Sequence, residues 1–217
     1  MTPPASFREV FAEALRGHPY DIVGLHDEPI PLPAKRWARP ADQDDRAILD
    51  LCTGPTLDVG CGPGRMSEAL AETGQVVLGI DVVGEAVHQT RQRGAAAVQR
   101  DVFEPLPAEG HWHAALLADG NVGIGGDPIA LLRRVASVLV RHGRIVVEVA
   151  EPGVRHRTVW AQLVSSSHRS KPFRWSVVGV DDIHSLAEQA GLRMVEAHQF
   201  GSRWCTVLER PRTLVAT

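Results

Sequence analysis

The residues Thr56-Leu57-Asp58-Val59-Gly60-Cys61-Gly62-Pro63-Gly64-Arg65 run from a short apolar strand through a glycine-rich loop into a helix-forming segment, Met66 to Ala71. This stretch constrains the fold more than any other. Gly60, Gly62 and Gly64 lack a Cβ, so the backbone can turn sharply there and approach a ligand closely. The free N–H groups of the following helix can then receive an anionic group. A strand, a glycine loop and a helix in this order read as a nucleotide-type cofactor cradle.

The chain around the cradle alternates. Strands are expected near Val76–Ile80, Ala96–Arg100, His113–Ala118 and Gly143–Val149. Helices are expected over Asp42–Cys52 and Gly84–Arg93, and after Asp127-Pro128, where proline suits the first helical position. Repeated strand and helix imply a parallel sheet with helices on both faces. The end departs from that pattern. Asp181–Ala190 reads as a helix closed by Gly191, and Leu192–Gln199 and Trp204–Glu209 read as strands joined by Gly201-Ser202, an antiparallel pair.

Spacing separates the cofactor classes. A nicotinamide-type loop, G-x-G-x-x-G, would place its third glycine at position 65, where this chain has Arg65. Asp58, two residues before the first glycine, suits a ligand carrying an ammonium and a sulfonium better than a pyrophosphate. Leu57 to Gly64 resembles the first signature motif of the class I S-adenosylmethionine-dependent methyltransferases. Asp81 after the second strand and Asp101 after the third fall where that family places acidic residues.

The resemblance covers about Asp42 to Glu209. It implies an α/β fold: a doubly wound, mostly parallel seven-stranded sheet with helices on both faces and a C-terminal antiparallel hairpin. It also implies that Asp81 bonds the ribose hydroxyls, Val82 lines the adenine, and Asp101 and the Val102 N–H meet its ring edge. Gly60, Cys61, Gly62 and Gly64 would surround the methionine portion, with Asp58, Asp119 and Gly120 near its ammonium and Tyr20 as a further contact. S-adenosyl-L-methionine is the expected cofactor and S-adenosyl-L-homocysteine the product.

Residues 1–41 are expected to form an N-terminal helix and a proline-rich lid or strap, and residues 42–217 the methyltransferase domain. Ser6-Phe7-Arg8-Glu9 fits a capping box before a short amphipathic helix. Prolines at 19, 29, 31, 33 and 40 then prevent long regular structure. For catalysis the candidates near the expected mouth are His18, His26, Asn121 and Glu151. A carboxylate acceptor would need no base. Between Pro152 and Val180 there is no Asp or Glu, yet Arg155, Arg157, Arg169, Lys171 and Arg174 stand among Trp160, Phe173 and Trp175. That stretch reads either as a solvated helix face over packed aromatics or as a basic, aromatic patch for an anionic, partly planar acceptor.

A formal charge of −3 argues against a dedicated nucleic-acid binder. Strand four is followed by Asp119-Gly120-Asn121-Val122, unlike the Asn/Asp-Pro-Pro-aromatic motif of amino-directed nucleic-acid methyltransferases. A small-molecule acceptor is therefore expected, with RNA or DNA as the alternative and a nicotinamide-dependent oxidoreductase a more distant one. Three cysteines without ligand spacing point to no metal and to a reducing cytoplasm, and no apolar run suggests a membrane partner.

Overall fold

The computed structural model describes residues 4–211. Helix α1 (Phe7–Leu15) begins at the expected capping box: Ser6 Oγ accepts the Glu9 N–H at 3.2 Å, and the Glu9 carboxylate accepts the Ser6 N–H at 2.9 Å. Strands β1 (Asp21–Val23) and β2 (Ile30–Pro31), the short helix α2 (Ala34–Trp37) and helix α3 (Gln43–Leu49) follow. The alternation then runs β3 (Thr56–Val59), α4 (Arg65–Glu72), β4 (Val77–Asp81), α5 (Gly84–Gln92), β5 (Ala97–Gln99), β6 (Trp112–Leu117), α6 (Pro128–Val138) and β7 (Leu139–Val149). After β8 (Arg157–Val164) and β9 (Phe173–Val177) come α7 (Val180–Gln189), β10 (Arg193–Phe200) and β11 (Arg203–Glu209).

Seven strands form one sheet, as the resemblance implies, in the order β10-β11-β7-β6-β3-β4-β5. The pairs from β7 to β5 are parallel, and only β11 runs against its neighbours. Alternate side chains of β6 serve opposite faces. Ala115 and Leu117 pack with Leu131 and Ile183 of α6 and α7, whereas Ala114 and Leu116 pack with Ile48 and Leu70 of α3 and α4. Burial on both faces explains why β6 reads as an unbroken apolar run. Strand order reverses at β3: the chain moves outward through β4 and β5, then returns to β3's other side with β6. That reversal opens a crevice beyond the carboxyl ends of β3 and β6.

A second, antiparallel sheet has the order β2-β1-β8-β9. It joins two segments far apart in sequence, with Ile22 opposite Leu163 and Val159 opposite Trp175. The stretch after Pro152 is therefore strand rather than the helix face that its charges suggested. The prolines are accommodated because β2 is a two-residue edge strand, where Pro31 has no outer partner to disappoint.

Candidate active site

The glycine loop sits at the reversal point. Gly60, Gly62 and Gly64 all have left-handed φ values, 72°, 55° and 92°. A Cβ on Gly60 would meet Asn121 Nδ2 at 2.7 Å, and one on Gly64 would meet the Thr90 Cα at 2.7 Å. These two glycines are needed for packing within the protein. A Cβ on Gly62 would meet nothing within 4 Å, and Gly62 lines a cavity of about 780 Å³. The loop therefore presents bare backbone to open space, the surface a closely held cofactor requires.

Asp81, the last residue of β4, lines the same cavity. Its Oδ2 accepts the Gly62 N–H at 3.0 Å and its Oδ1 accepts the Val83 N–H at 2.8 Å. Burial pushes its carboxyl above the usual range, against the pull of the backbone N–H groups of Val83, Gly62 and Val82. Val82, Asp101, Val102 and Cys61 line the cavity beside it. Asp101 Oδ1 also accepts the Phe103 N–H at 3.0 Å, which shapes the turn after β5.

Asp58 is placed differently. It lies behind the loop with 2% exposure, and Ser67 Oγ donates to its Oδ2 at 2.6 Å. Burial pushes its carboxyl up to about 7. Neither Asp58 nor Gly64 nor Gly120 lines the cavity. Tyr20 does not reach it either: the ring is buried against α1 and the hydroxyl donates to Glu13 at 2.5 Å.

Asp119 follows β6 and lines the cavity with φ 50°, a left-handed value uncommon for a residue with a Cβ. A buried ion network holds it. Its N–H donates to Glu148 Oε2 at 2.6 Å and its Oδ2 accepts from Arg65 Nη2 at 2.5 Å. Arg203 grips Glu148 through Nε at 2.8 Å and Nη2 at 2.6 Å, and both Arg65 and Arg203 donate to Asp45, which is fully buried. Arg39 closes the network on Asp45 Oδ2 at 2.6 Å and on Asp42 at 2.7 Å. Burial alone would raise the Glu148 carboxyl, but the Arg203 hydrogen bonds and charge hold it below the ordinary range. Sequence reasoning missed Asp45, Arg65, Glu148 and Arg203. One signal was present: Glu148 interrupts Ile145-Val146-Val147, a run otherwise wholly apolar.

Of the four catalytic candidates, only Asn121 lines the cavity. Its Nδ2 donates at 2.9 Å to the carbonyls of Val59 and Gly60, so it braces the glycine loop. His18, His26 and Glu151 are exposed and lie off the lining, with His18 Nδ1 set 3.1 Å from the Glu13 carbonyl. The basic stretch is also divided. Arg155 pairs with Asp182 at 3.3 Å and Arg157 donates to the Leu25 carbonyl at 3.0 Å, whereas Phe173, Arg174 and Trp175 face the cavity.

Fold and loop together resemble those of the class I S-adenosylmethionine-dependent methyltransferases. Residues 56–143 match the family described as a methyltransferase domain. A ubiquinone biosynthesis O-methyltransferase of Xanthomonas oryzae pv. oryzae is 36% identical over 106 residues, which are 46% of this chain and 44% of that protein. The chain thus matches less than half the length of that relative. A trans-aconitate 2-methyltransferase of Paracidovorax citrulli is 27% identical over 191 residues, 82% of this chain and 70% of that one. Among solved structures, a methyltransferase from Bacteroides fragilis, in complex with S-adenosyl-L-homocysteine, superposes with TM-score 0.76 at 19% identity. That alignment covers 94% of this chain and 93% of the other, and it establishes the shared fold.

Proposed function

We propose that this chain transfers a methyl group from S-adenosylmethionine to a small-molecule acceptor, with the sheet β2-β1-β8-β9 as the cover over both. The observation that carries this reading is the meeting of Asp81 with the bare Gly62 backbone on the cavity wall at the strand reversal. In this reading Asp81 holds the ribose hydroxyls with two acceptor oxygens, Val82 and Val102 flank the adenine, and Asp101 accepts its amino group. Gly60 to Pro63 enclose the methionine portion and Asp119 faces its ammonium.

Charge supports that last assignment. The ion network sets the carboxylates of Asp42, Asp45, Asp119 and Glu148 against the guanidiniums of Arg39, Arg65 and Arg203, four negative to three positive, leaving one net negative charge. A cation beside Asp119 completes the balance.

The bound donor supplies a methyl group on a positively charged sulfur. The chain's part is to hold donor and acceptor in line and to keep water out. Among the described residues no histidine or lysine lines the cavity, and Asn121 is committed to the loop carbonyls. An acceptor that arrives already nucleophilic, with no proton for the enzyme to remove, suits such walls best. The test is incubation with S-adenosylmethionine and a panel of aromatic acids, phenols and amines, reading S-adenosylhomocysteine by mass spectrometry. Product that requires both protein and one acceptor class is the expected result. No turnover across the panel by protein that binds the product would contradict catalysis.

A further inference from the structure

The half of the cavity away from Asp81 has a continuous aromatic wall assembled from three separate segments. Trp37 stacks on Phe11 with centroids 5.7 Å apart, Phe11 lies 5.2 Å from Phe7, Phe7 lies 4.7 Å from Phe173, and Phe173 meets Trp175 edge-on at 6.5 Å. All five rings line the cavity. A chain of rings at these spacings presents a long apolar surface whose π faces favour a flat partner.

The Trp37 end of this wall carries an arginine that also lines the cavity. Arg36 adjoins Trp37; its backbone N–H donates to the Pro33 carbonyl at 2.9 Å, and among the described residues its guanidinium has no hydrogen-bond or ion-pair partner. Arg174 stands between Phe173 and Trp175 in β9, opposite the exposed Trp160, so its side chain leaves the strand on the face away from those two rings, and its Nη2 donates to the Gly126 carbonyl at 3.3 Å. Of the other arginines on the lining, Arg65 is committed to Asp45 and Asp119, and Arg100 stands beside Asp101 and donates to the Gln99 carbonyl at 3.2 Å. The cavity's carboxylates, Asp81, Asp101, Asp119 and Glu148, belong to the strand ends of the large sheet rather than to the ring wall. The ring wall therefore carries positive charge with no internal counter-ion, a setting in which an anionic ligand forms charge-assisted, often bidentate, hydrogen bonds.

From the rings and the carboxylate-free Arg36 we infer that the acceptor is a planar, largely apolar organic anion, lying along the wall from Trp37 to Trp175. Arg36 receives its charge. A cavity of about 780 Å³ is near the upper end of the ~300–1,000 Å³ common for ligand pockets, as expected when cofactor and acceptor share one space. This inference rests on the methyltransferase reading, because it assigns the remaining half of the cavity to the cofactor.

The test uses the whole protein saturated with S-adenosylhomocysteine and two probes of equal shape, 2-naphthoate and its neutral amide, 2-naphthamide, titrated by calorimetry. Naphthoate is expected to bind at least about tenfold more tightly than the amide. In the Arg36→Gln protein the two should bind within about threefold of each other, with affinity for S-adenosylhomocysteine unchanged. Trp37→Leu should weaken both probes together and leave their ratio alone. Equal binding of the probes to the native protein, a preference that survives Arg36→Gln, or failure of both probes to bind would each overturn the inference. Failure of S-adenosylhomocysteine itself to bind, seen in the first titration, would overturn the cofactor reading and this inference with it.

Discussion

The two sheets of this protein are built by different rules. In the large sheet each parallel strand is linked to the next by a local crossover, and each strand's burial is written in its own apolar run, as in Ala114-Ala115-Leu116-Leu117. The small sheet pairs residues 21–31 with residues 157–177, and neither segment carries enough apolar surface to be stable by itself. Its inward residue Leu163 is buried because Val10 and Ala14 of α1 pack against it. In the proposed reading the large sheet and its strand-end loops hold the cofactor, and the small sheet, with α1 and α2, holds the rings that would choose the acceptor. A substitution should accordingly change folding and cofactor affinity when it strikes the first region, and acceptor choice alone when it strikes the second.

The sharpest way to break that division is Arg203→Met. Arg203 starts β11, and its loss would leave Glu148 and Asp45 buried with less compensation. Removing one partner of a buried ion pair costs about 3–5 kcal/mol, so urea denaturation should show a loss of that size. A loss under 1 kcal/mol would show that the network is solvated and does not anchor Asp119. Next in size, Asp81→Ala should weaken S-adenosylhomocysteine binding by ~1–3 kcal/mol in calorimetry while the folded structure persists. Unchanged affinity in that folded variant would remove Asp81 from the site.

A third effect concerns pH. The unfolded chain releases the Asp58 proton near the ordinary 3.8, whereas the folded chain holds it to about 7. Ionisation therefore favours the unfolded state, and the ligand-free protein should lose stability from this group as pH rises from 4 to 7. Asp58→Asn should abolish that slope, seen by calorimetric melting of both proteins across the range. Parallel pH profiles would show Asp58 to be ionised in the fold. The smallest effect is predicted on the outer face of the small sheet. Trp160 is 65% exposed, and Trp160→Thr should change stability by less than ~0.5 kcal/mol and leave cofactor affinity alone.

The same division decides what could be read from residues alone. The capping box at Ser6, the glycine loop, Asp81 and the final hairpin are set by neighbours close in sequence, and each stands where its local pattern put it. The alternation of Val159, Ala161 and Leu163 was equally visible, but the charges around it suggested a helix face, and its pairing partner lay beyond the reach of any local pattern. The histidines show the same limit. His18 and His26 were candidates because of residue type and place, yet neither lines the cavity, whereas Phe7 and Phe11 read as an ordinary helix face and prove to line it. Arg65 drew notice only for standing where a third glycine would be, and Arg203 carried no local signal. They became a site only when β11 entered the sheet beside β7 and brought Arg203 to Glu148.

The most direct test of the central claim, that the Asp81–Gly62 wall is an S-adenosylmethionine cradle, is calorimetric titration of the purified protein with S-adenosylhomocysteine, with NAD and NADP as parallel controls. The account predicts saturable one-to-one binding of S-adenosylhomocysteine alone, lost or weakened in Asp81→Ala. Binding of a nicotinamide nucleotide in preference to S-adenosylhomocysteine, or no binding of S-adenosylhomocysteine by the folded protein, would contradict it.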